Sequence, residues 1–340
     1  MELVESLNSD FKFLSNASLG NTMGESSLWQ KRVSRWFQKL SVDGELDLKR
    51  LANFRRNSVL LAEVPMNPLS EVPILSSIYD FVYYEGYRQS CIWNYEKLKD
   101  DTSLDWDSFN DIGSPYAISV DGRKFNERSL RHLRSTAIVN EYVDLNEGDT
   151  VLDIGGGYGQ FIMQLRRSNP KIKSIIVDFP EQLFLAKYYI GMLDPSLRVN
   201  SLESIYQSNQ KLEDLECSFD VLLVPVDRFD LLTDLKCKLA CNFSSFGEMP
   251  KKQFLDYFDS KPIRHAEYFF TINRIDSFPT YDNLTNMIDY LSDDFERIHF
   301  QTSPIWDHYY KSRSPFYVRK HSFLSRNFEL LGKFHSGRFV

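Results

Sequence analysis

The chain has 340 residues, of which 42% are hydrophobic and 26% charged, so it can bury a sizeable core and is not predicted to be disordered. The formal net charge is −7 at pH 7, and no more than two Lys or Arg residues are adjacent, which predicts no nucleic-acid partner. No apolar run approaches the roughly 20 residues needed to cross a bilayer, so no membrane span is predicted.

The cysteines and the N-terminal stretch indicate a cytoplasmic protein. Cys91, Cys217, Cys237 and Cys241 form no C-x-x-C pair and no metal-ligand spacing with histidine, a pattern typical of reduced thiols. The stretch MELVESLNSDFKFLSN lacks the basic and apolar regions of a signal peptide. No tight group of Asp, Glu and His stands out either, and we therefore predict no metal.

Up to about Tyr142 the chain has a helical pattern with few strand signals. Apolar residues recur every three or four positions in Ser27–Leu40, Ile74–Leu98 and Glu127–Val143. We predict that residues 1–110 form a helical accessory region that serves as a lid or as a dimerisation contact, which makes a homodimer one expected assembly. A segment rich in Gly, Pro, Asp and Ser, residues 110–124, then joins this region to the rest.

From Asp149 onward, short apolar runs alternate with helical stretches. The strand candidates are TVLDIG, SIIVDF, FDVLLVP, KLACNF and EYFFTIN. Strands alternating with helices predict the α/β class, with a doubly wound, Rossmann-like and mostly parallel sheet. We place this domain at residues 111–340.

The segment VLDIGGGYGQ carries the strongest chemical signal. A strand at Val151–Ile154 and a helix at Gln160–Ser168 flank four glycines, an arrangement that presents backbone N–H groups and a helix N-terminus to a ligand. The dinucleotide fingerprint G-x-G-x-x-G fails in both registers, because Gln160 or Ile162 stands at the third glycine. A carboxylate at Asp153 would repel a pyrophosphate but attract the ammonium and sulfonium groups of S-adenosyl-L-methionine. The loop therefore favours that cofactor.

Asp178 ends the second strand of this domain, about twenty residues after the glycine turn, where a carboxylate can accept both ribose hydroxyl protons. Alone it is equally consistent with a cap for the helix that begins at Pro180. Together with the glycine loop it supports the same cofactor.

With these motifs, the chain resembles class I S-adenosylmethionine-dependent methyltransferases and, more narrowly, bacterial sugar O-methyltransferases. VLDIGGGYGQ is similar to the glycine loop of that family, IIVDFPEQLFLAKYYIGML to its second strand and helix, and CNFSSFGEMP to the segment after its fourth strand. The resemblance implies a seven-stranded sheet, with a sixth strand near ERIHFQ paired antiparallel with a seventh near HSFLSR. It also implies a set of cofactor-binding residues, namely Asp153, Gly155, Gly156, Gly157, Tyr158, Gly159, Asp178, Phe179 and Asn242.

Methyl transfer to a hydroxyl needs alignment of the acceptor and usually a base. His308 is our first candidate for that base, because an imidazole titrates near neutrality and Asp307 adjoins it; a solvated loop histidine is the alternative. Glu248 is the second, with a helix N-terminal carboxylate as its alternative. The candidate substrate-binding residues follow predicted strands or lie in the loop before the seventh strand: Ser245, Asn273, Arg274 and Tyr309.

The predicted function is thus S-adenosyl-L-methionine-dependent O-methylation of a sugar or glycosylated metabolite, as in polysaccharide biosynthesis, with a small molecule or glycan as substrate. One alternative is an aromatic or natural-product O-methyltransferase, which would also use a pocket rich in Tyr and Phe. A second is a degenerate scaffold that binds the cofactor without transferring a methyl group.

Overall fold

The computed structural model describes residues 2–16, 28–57, 73–207, 212, 218–249, 251–274, 287–291, 295–305 and 327–335. By its internal contacts the chain divides into two compact units. The first comprises Met1–Phe37, Asn140–Thr302 and Ser325–Val340, and the second comprises Gln38–Val139 and Ser303–Leu324. This division does not coincide with the predicted boundary at residue 110, and the lid or dimerisation role of residues 1–110 stays a prediction.

The first unit is built around a seven-stranded sheet. Its strands are β5 (Thr150–Ile154), β6 (Lys173–Asp178), β7 (Val221–Pro225), β8 (Leu239–Phe243), β9 (Tyr268–Arg274), β10 (Phe295–Thr302) and β11 (Asn327–Phe334). Their order is β10-β11-β9-β8-β5-β6-β7, and β11 runs antiparallel to the other six strands, which are parallel to one another. The predicted α/β class and the predicted seven-stranded, mostly parallel sheet are confirmed.

Of the last two predicted strands, the sixth lies where it was expected and the seventh begins later in the chain. The sixth strand of the sheet, β10, covers the predicted ERIHFQ. The seventh was expected near HSFLSR, residues 321–326, but β11 begins at Asn327. This strand lies between β9 and β10, so both of its edges are hydrogen-bonded. The consecutive side chains of Phe328–Leu331 are all buried, and since successive side chains alternate between the faces, both faces of the strand are covered.

Helices connect and flank the strands of the sheet. In the first unit these are α1 (Glu2–Asn16), α7 (Gln160–Ser168), α8 (Pro180–Leu193), α9 (Leu202–Gln207), α10 (Lys251–Phe258) and α11 (Lys261–Arg264). Short 3₁₀ segments occur at Val226–Leu232, Phe246–Glu248 and Met287–Tyr290, and the first of them is kinked at Arg228. None of the described helices is long and apolar enough to cross a membrane.

The N-terminal helix α1 is an integral part of the first unit. The buried Lys187 Nζ on α8 lies 2.6 Å from Asp10 Oδ2 on α1. The other oxygen of Asp10 accepts hydrogen bonds from Ser201 Oγ at 2.9 Å and from the Leu202 backbone N–H at 3.1 Å, which caps the start of α9. One carboxylate thus joins three helices.

The described part of the second unit is mostly helical. It contains two small hairpins, β1–β2 (Ser41–Val42 and Glu45–Leu46) and β3–β4 (Ile118–Val120 and Arg123–Phe125), and a 3₁₀ turn at Trp106–Ser108. Its helices are α3 (Leu48–Leu51), α4 (Phe54–Asn57) and α5 (Pro73–Leu98), while α2 (Leu28–Gln38) and α6 (Glu127–Tyr142) run across the boundary between the units. Helices thus make up most of the described residues up to Tyr142, as the periodicity of the sequence indicates.

Candidate functional site

The glycine loop connects β5 to α7 through backbone conformations that suit only glycine. Gly155, Gly157 and Gly159 have φ values of +74°, +59° and +82°. The Gly155 N–H donates to the Val177 carbonyl at 2.7 Å, so the loop leaves β5 alongside the end of β6. Gly159 is the N-cap residue of α7 and offers no side chain to its first turn. The loop therefore carries bare backbone up to a helix N-terminus.

Three neighbouring residues lie so close to this loop that a side chain on Gly155 or Gly156 would not fit. A Cβ on Gly156 would lie 2.7 Å from Asp153 Oδ2 and 2.9 Å from Ile176 Cγ2. A Cβ on Gly155 would overlap the hydroxymethyl group of Ser245. Asp153 is fully buried, so its carboxylate lies beneath the loop. The glycines are thus required by packing as well as by φ.

Asp178 links the end of β6 to the glycine loop. Its Oδ2 accepts a hydrogen bond from the Gly157 backbone N–H at 2.7 Å, and its Oδ1 accepts one from Phe179 N–H at 2.7 Å. These two bonds hold the carboxylate at the end of β6 against the glycine loop.

The Tyr158 side chain points into the protein. Its ring lies 4.9 Å from that of Tyr189 in a T-shaped arrangement, and its hydroxyl donates to Gln160 Oε1 at 2.6 Å. The residue is fully buried. Its side chain therefore supports the loop from within, and its contact with the cofactor stays a prediction.

A buried amide network shapes the turn that follows β8. Asn242 Nδ2 donates to the Ile154 carbonyl at 2.7 Å and to Ser245 Oγ. Asn242 Oδ1 accepts from Phe246 N–H at 3.1 Å and from Asn273 Nδ2 at 2.8 Å. These four bonds use both donors and both acceptor sites of the Asn242 amide. Its side chain is thus a clamp that holds β5, β9 and the turn together.

Asn273 continues this network along β9. Its Nδ2 also donates to Thr271 Oγ1 at 2.7 Å, and its Oδ1 accepts from Gly247 N–H at 3.0 Å. Asn273 is fully buried. Its amide positions the turn at residues 244–248, and its direct contact with a substrate stays a prediction.

Glu248 and Arg274 form an ion pair beside this turn. Arg274 Nη2 lies 3.4 Å from Glu248 Oε1, and the side chains are 18% and 25% exposed, respectively. Ser244, which begins the turn, has a φ of +61°, an uncommon value for a residue with a side chain. The ion pair is therefore partly exposed, and the turn that carries Glu248 begins with an uncommon backbone conformation.

The structure brings most of the predicted residues to one edge of the sheet. In a doubly wound sheet, the carboxyl ends of parallel strands form the ligand-binding edge. The glycine loop follows β5, and Asp178 ends β6 with Phe179 directly after it. The turn at 244–248 follows β8, and Arg274 ends β9. His308 and Tyr309 lie outside the described residues, so their roles stay predictions. Within the described part of the chain, no group of three His, Cys, Asp or Glu residues could hold a metal.

Sequence reasoning missed Asp227, which follows β7 at the same edge. Asp227 Oδ1 accepts a hydrogen bond from Tyr206 Oη at 2.8 Å. Burial and this bond raise the pKa of Tyr206 above its ordinary value, so the hydroxyl stays a donor. The signal was available, because an Asp two residues beyond a buried strand resembles the position of Asp178 at the end of β6.

No protein-family model and no curated protein matches the chain. Among solved structures, it is similar to the [4+2]-cyclase SpnF, with 14% identity over 65% of this chain and 87% of that chain and a TM-score of 0.41. It is also similar to geranyl diphosphate C-methyltransferase from Streptomyces coelicolor A3(2), which was solved with Mg²⁺, geranyl diphosphate and S-adenosyl-L-homocysteine. The identity is 12% over 61% of this chain and 82% of that chain, and the TM-score is 0.40. It is similar to StiE O-MT as well, with 15% identity over 61% of this chain and 75% of that chain and a TM-score of 0.40. Similarities this low carry no argument about activity, and the fold rests on the sheet itself.

Proposed function

We propose that this protein binds S-adenosyl-L-methionine and transfers its methyl group to a hydroxyl of a sugar or glycosylated metabolite. The observation that carries the cofactor proposal is the hydrogen bond from Gly157 N–H to Asp178 Oδ2, which joins a bare glycine loop to an acidic strand end. Such a loop offers N–H groups, and the carboxylate next to it offers acceptors for ribose hydroxyls. The sugar acceptor is supported by the resemblance of three sequence stretches.

The residues present fit this cofactor on structural grounds. A Cβ on Gly155 or Gly156 would overlap Ser245 or Asp153, so the loop has to be bare backbone at these two positions. Asp178, at the end of β6, would accept hydrogen bonds from the ribose hydroxyls. Asp153, buried beneath the loop, would favour a positively charged ligand group through its negative charge.

When bound, the cofactor supplies a methyl group on a positively charged sulfur. The protein has to align the acceptor hydroxyl and accept its proton. Glu248 is the described carboxylate best placed for that task, since it lies on the turn after β8, and Arg274 would orient it through their ion pair. His308 is the other proposed base.

Two measurements test the proposal on the intact chain. S-adenosyl-L-homocysteine should raise the melting temperature, because it binds only the folded state, whereas NAD should not. Mass spectrometry after incubation with S-adenosyl-L-methionine and a panel of nucleotide sugars should show one product heavier by a methyl group. Stabilisation by NAD instead of S-adenosyl-L-homocysteine would contradict the cofactor proposal, and product formation only with phenolic acceptors would replace the sugar by an aromatic substrate.

A further inference from the structure

Among the residues that the structure describes, four residues other than glycine have a left-handed backbone. Two of them, Asp43 and Asp121, each precede a glycine of positive φ in the two-residue turns of the hairpins β1–β2 and β3–β4. Such turns need positive φ at both central positions, and Asp tolerates it better than most residues. The turns therefore account for these two aspartates.

The other two residues are serines, and they differ in what their hydroxyl groups contact. Ser114, in the second unit, has a φ of +53° and donates its hydroxyl to the Ala52 carbonyl at 3.1 Å. Ser244, directly after β8, has a φ of +61°, and its N–H donates to the Ile272 carbonyl at 2.8 Å. The Ser244 side chain is partly exposed, and its hydroxyl makes no hydrogen bond with the described residues. A Cβ in this conformation costs free energy that glycine would not, and here no internal contact of the side chain offsets the cost.

Ser244 stands at the ligand-binding edge of the sheet. β8 lies between β5 and β9, so the residue that follows β8 lies between the glycine loop and the end of β9. The neighbouring Ser245 is engaged within the protein, since it accepts a hydrogen bond from Asn242 Nδ2 and lies against Gly155. Backbone strain tends to be found at positions that bind ligands. Of these two serines, Ser244 is therefore the one whose hydroxyl can reach a ligand.

We infer that Ser244 Oγ forms a hydrogen bond with a hydroxyl of the acceptor that adjoins the one to be methylated. This inference rests on the proposed function. Glu248, the described candidate base, lies on the same turn, so an acceptor hydroxyl that faces Glu248 brings its neighbours close to this turn. A serine hydroxyl both donates and accepts, as a sugar hydroxyl does. The arrangement therefore favours an acceptor with two adjacent hydroxyls, which a sugar offers and a simple phenol does not.

Ser244→Ala and Ser244→Gly test the inference together, with the nucleotide sugar that the wild type methylates fastest as the acceptor. Both changes remove the hydroxyl, so kcat/KM for the acceptor should fall about 3- to 10-fold in each, the usual range for one net hydrogen bond. Affinity for S-adenosyl-L-homocysteine in calorimetry should stay unchanged. Ser244→Gly also removes the Cβ from a left-handed position, so its melting temperature should equal or exceed that of Ser244→Ala. A merely structural serine would not combine lower activity with equal or higher stability.

Deoxy analogues of the same acceptor separate direct contact from an indirect effect. The analogue that lacks the hydroxyl bound by Ser244 should be a poorer substrate of the wild type by a similar factor. Ser244→Ala should methylate this analogue as fast as the wild type does, because the contact is already absent, whereas it should remain slower on the other analogues.

Ser114→Ala is the matched control, because it removes a serine hydroxyl from the same backbone conformation in the second unit. It should lower the melting temperature through the lost hydrogen bond to Ala52 and leave kcat/KM unchanged. Unchanged kcat/KM in both Ser244 variants would overturn the inference, as would an equal loss on every deoxy analogue. A wild-type protein that methylates no nucleotide sugar would instead refute the proposed function, and the inference with it.

Discussion

Asp178→Asn is the sharpest test of how the glycine loop is held. Both carboxylate oxygens of Asp178 accept backbone N–H groups, from Gly157 and from Phe179, each at 2.7 Å. An amide of the same shape has one oxygen and one NH₂ group, so in either orientation one backbone N–H faces another donor. The variant loses one charge-assisted hydrogen bond and leaves a buried donor unpaired. We therefore expect the free energy of unfolding to fall by about 2–3 kcal/mol.

Urea unfolding of the ligand-free protein measures this loss, and calorimetry with S-adenosyl-L-homocysteine measures the accompanying loss of affinity. Asp256→Asn is the control, because its partner Lys252 lies 3.0 Å away on an exposed helix face, and such pairs contribute within about 0.5 kcal/mol. If Asp178→Asn unfolded like this control and bound S-adenosyl-L-homocysteine as tightly as the wild type, the role assigned to the carboxylate would be wrong.

Four further outcomes follow from other parts of the chain. Gly156→Ala should abolish S-adenosyl-L-homocysteine binding in calorimetry, because its Cβ would lie 2.7 Å from a buried carboxylate oxygen and force the loop to move. Lys187→Met should lower the free energy of unfolding in urea by about 3–5 kcal/mol, since it leaves the buried carboxylate on α1 without its cation. Burial raises the pKa of Cys91 to about 12, so the folded protein favours the protonated thiol. This contribution to the free energy of unfolding is fully present below the unfolded thiol pKa near 9 and is lost as the pH rises toward 12. Iodoacetamide should accordingly label Cys91 only after denaturation. If Glu248 is the base, Glu248→Gln should lower kcat by roughly 10²–10⁴-fold without changing cofactor affinity, and if His308 is the base, His308→Ala should do so. A double variant that kept more than about a tenth of the wild-type kcat would exclude both residues as the base.

The sequence was sufficient for those features that depend on neighbouring residues. Strands β5 to β9 coincide with buried apolar runs, and the helix after the glycine loop begins and ends at the predicted residues Gln160 and Ser168. Local pattern decides both, since a buried parallel strand needs a continuous apolar run and a glycine-rich turn must precede the helix.

Contacts between distant residues could not be predicted in this way. The Asn242 and Asn273 side chains are 31 positions apart, and they meet because β8 and β9 pair in parallel with Asn242 opposite Thr271. The Asp10–Lys187 pair spans 177 positions. Such contacts follow from strand register and helix packing, which cannot be inferred from the residue pattern of a single sequence. For this reason Asn273 was interpreted as a substrate ligand, whereas its side-chain amide is hydrogen-bonded within the protein.

The same contacts explain why the cofactor loop and the turn after β8 should behave as one element. Ser245 lies against Gly155 so closely that no Cβ fits between them, and Asn242 ties this serine to the end of β5. A displacement of the turn would therefore press on the glycine loop directly. Since the turn also carries Glu248, a substrate that engages this carboxylate acts on the backbone that forms the proposed cofactor cradle. The contact between Ser245 and Gly155 is therefore a direct route by which binding of the substrate and binding of the cofactor would influence each other.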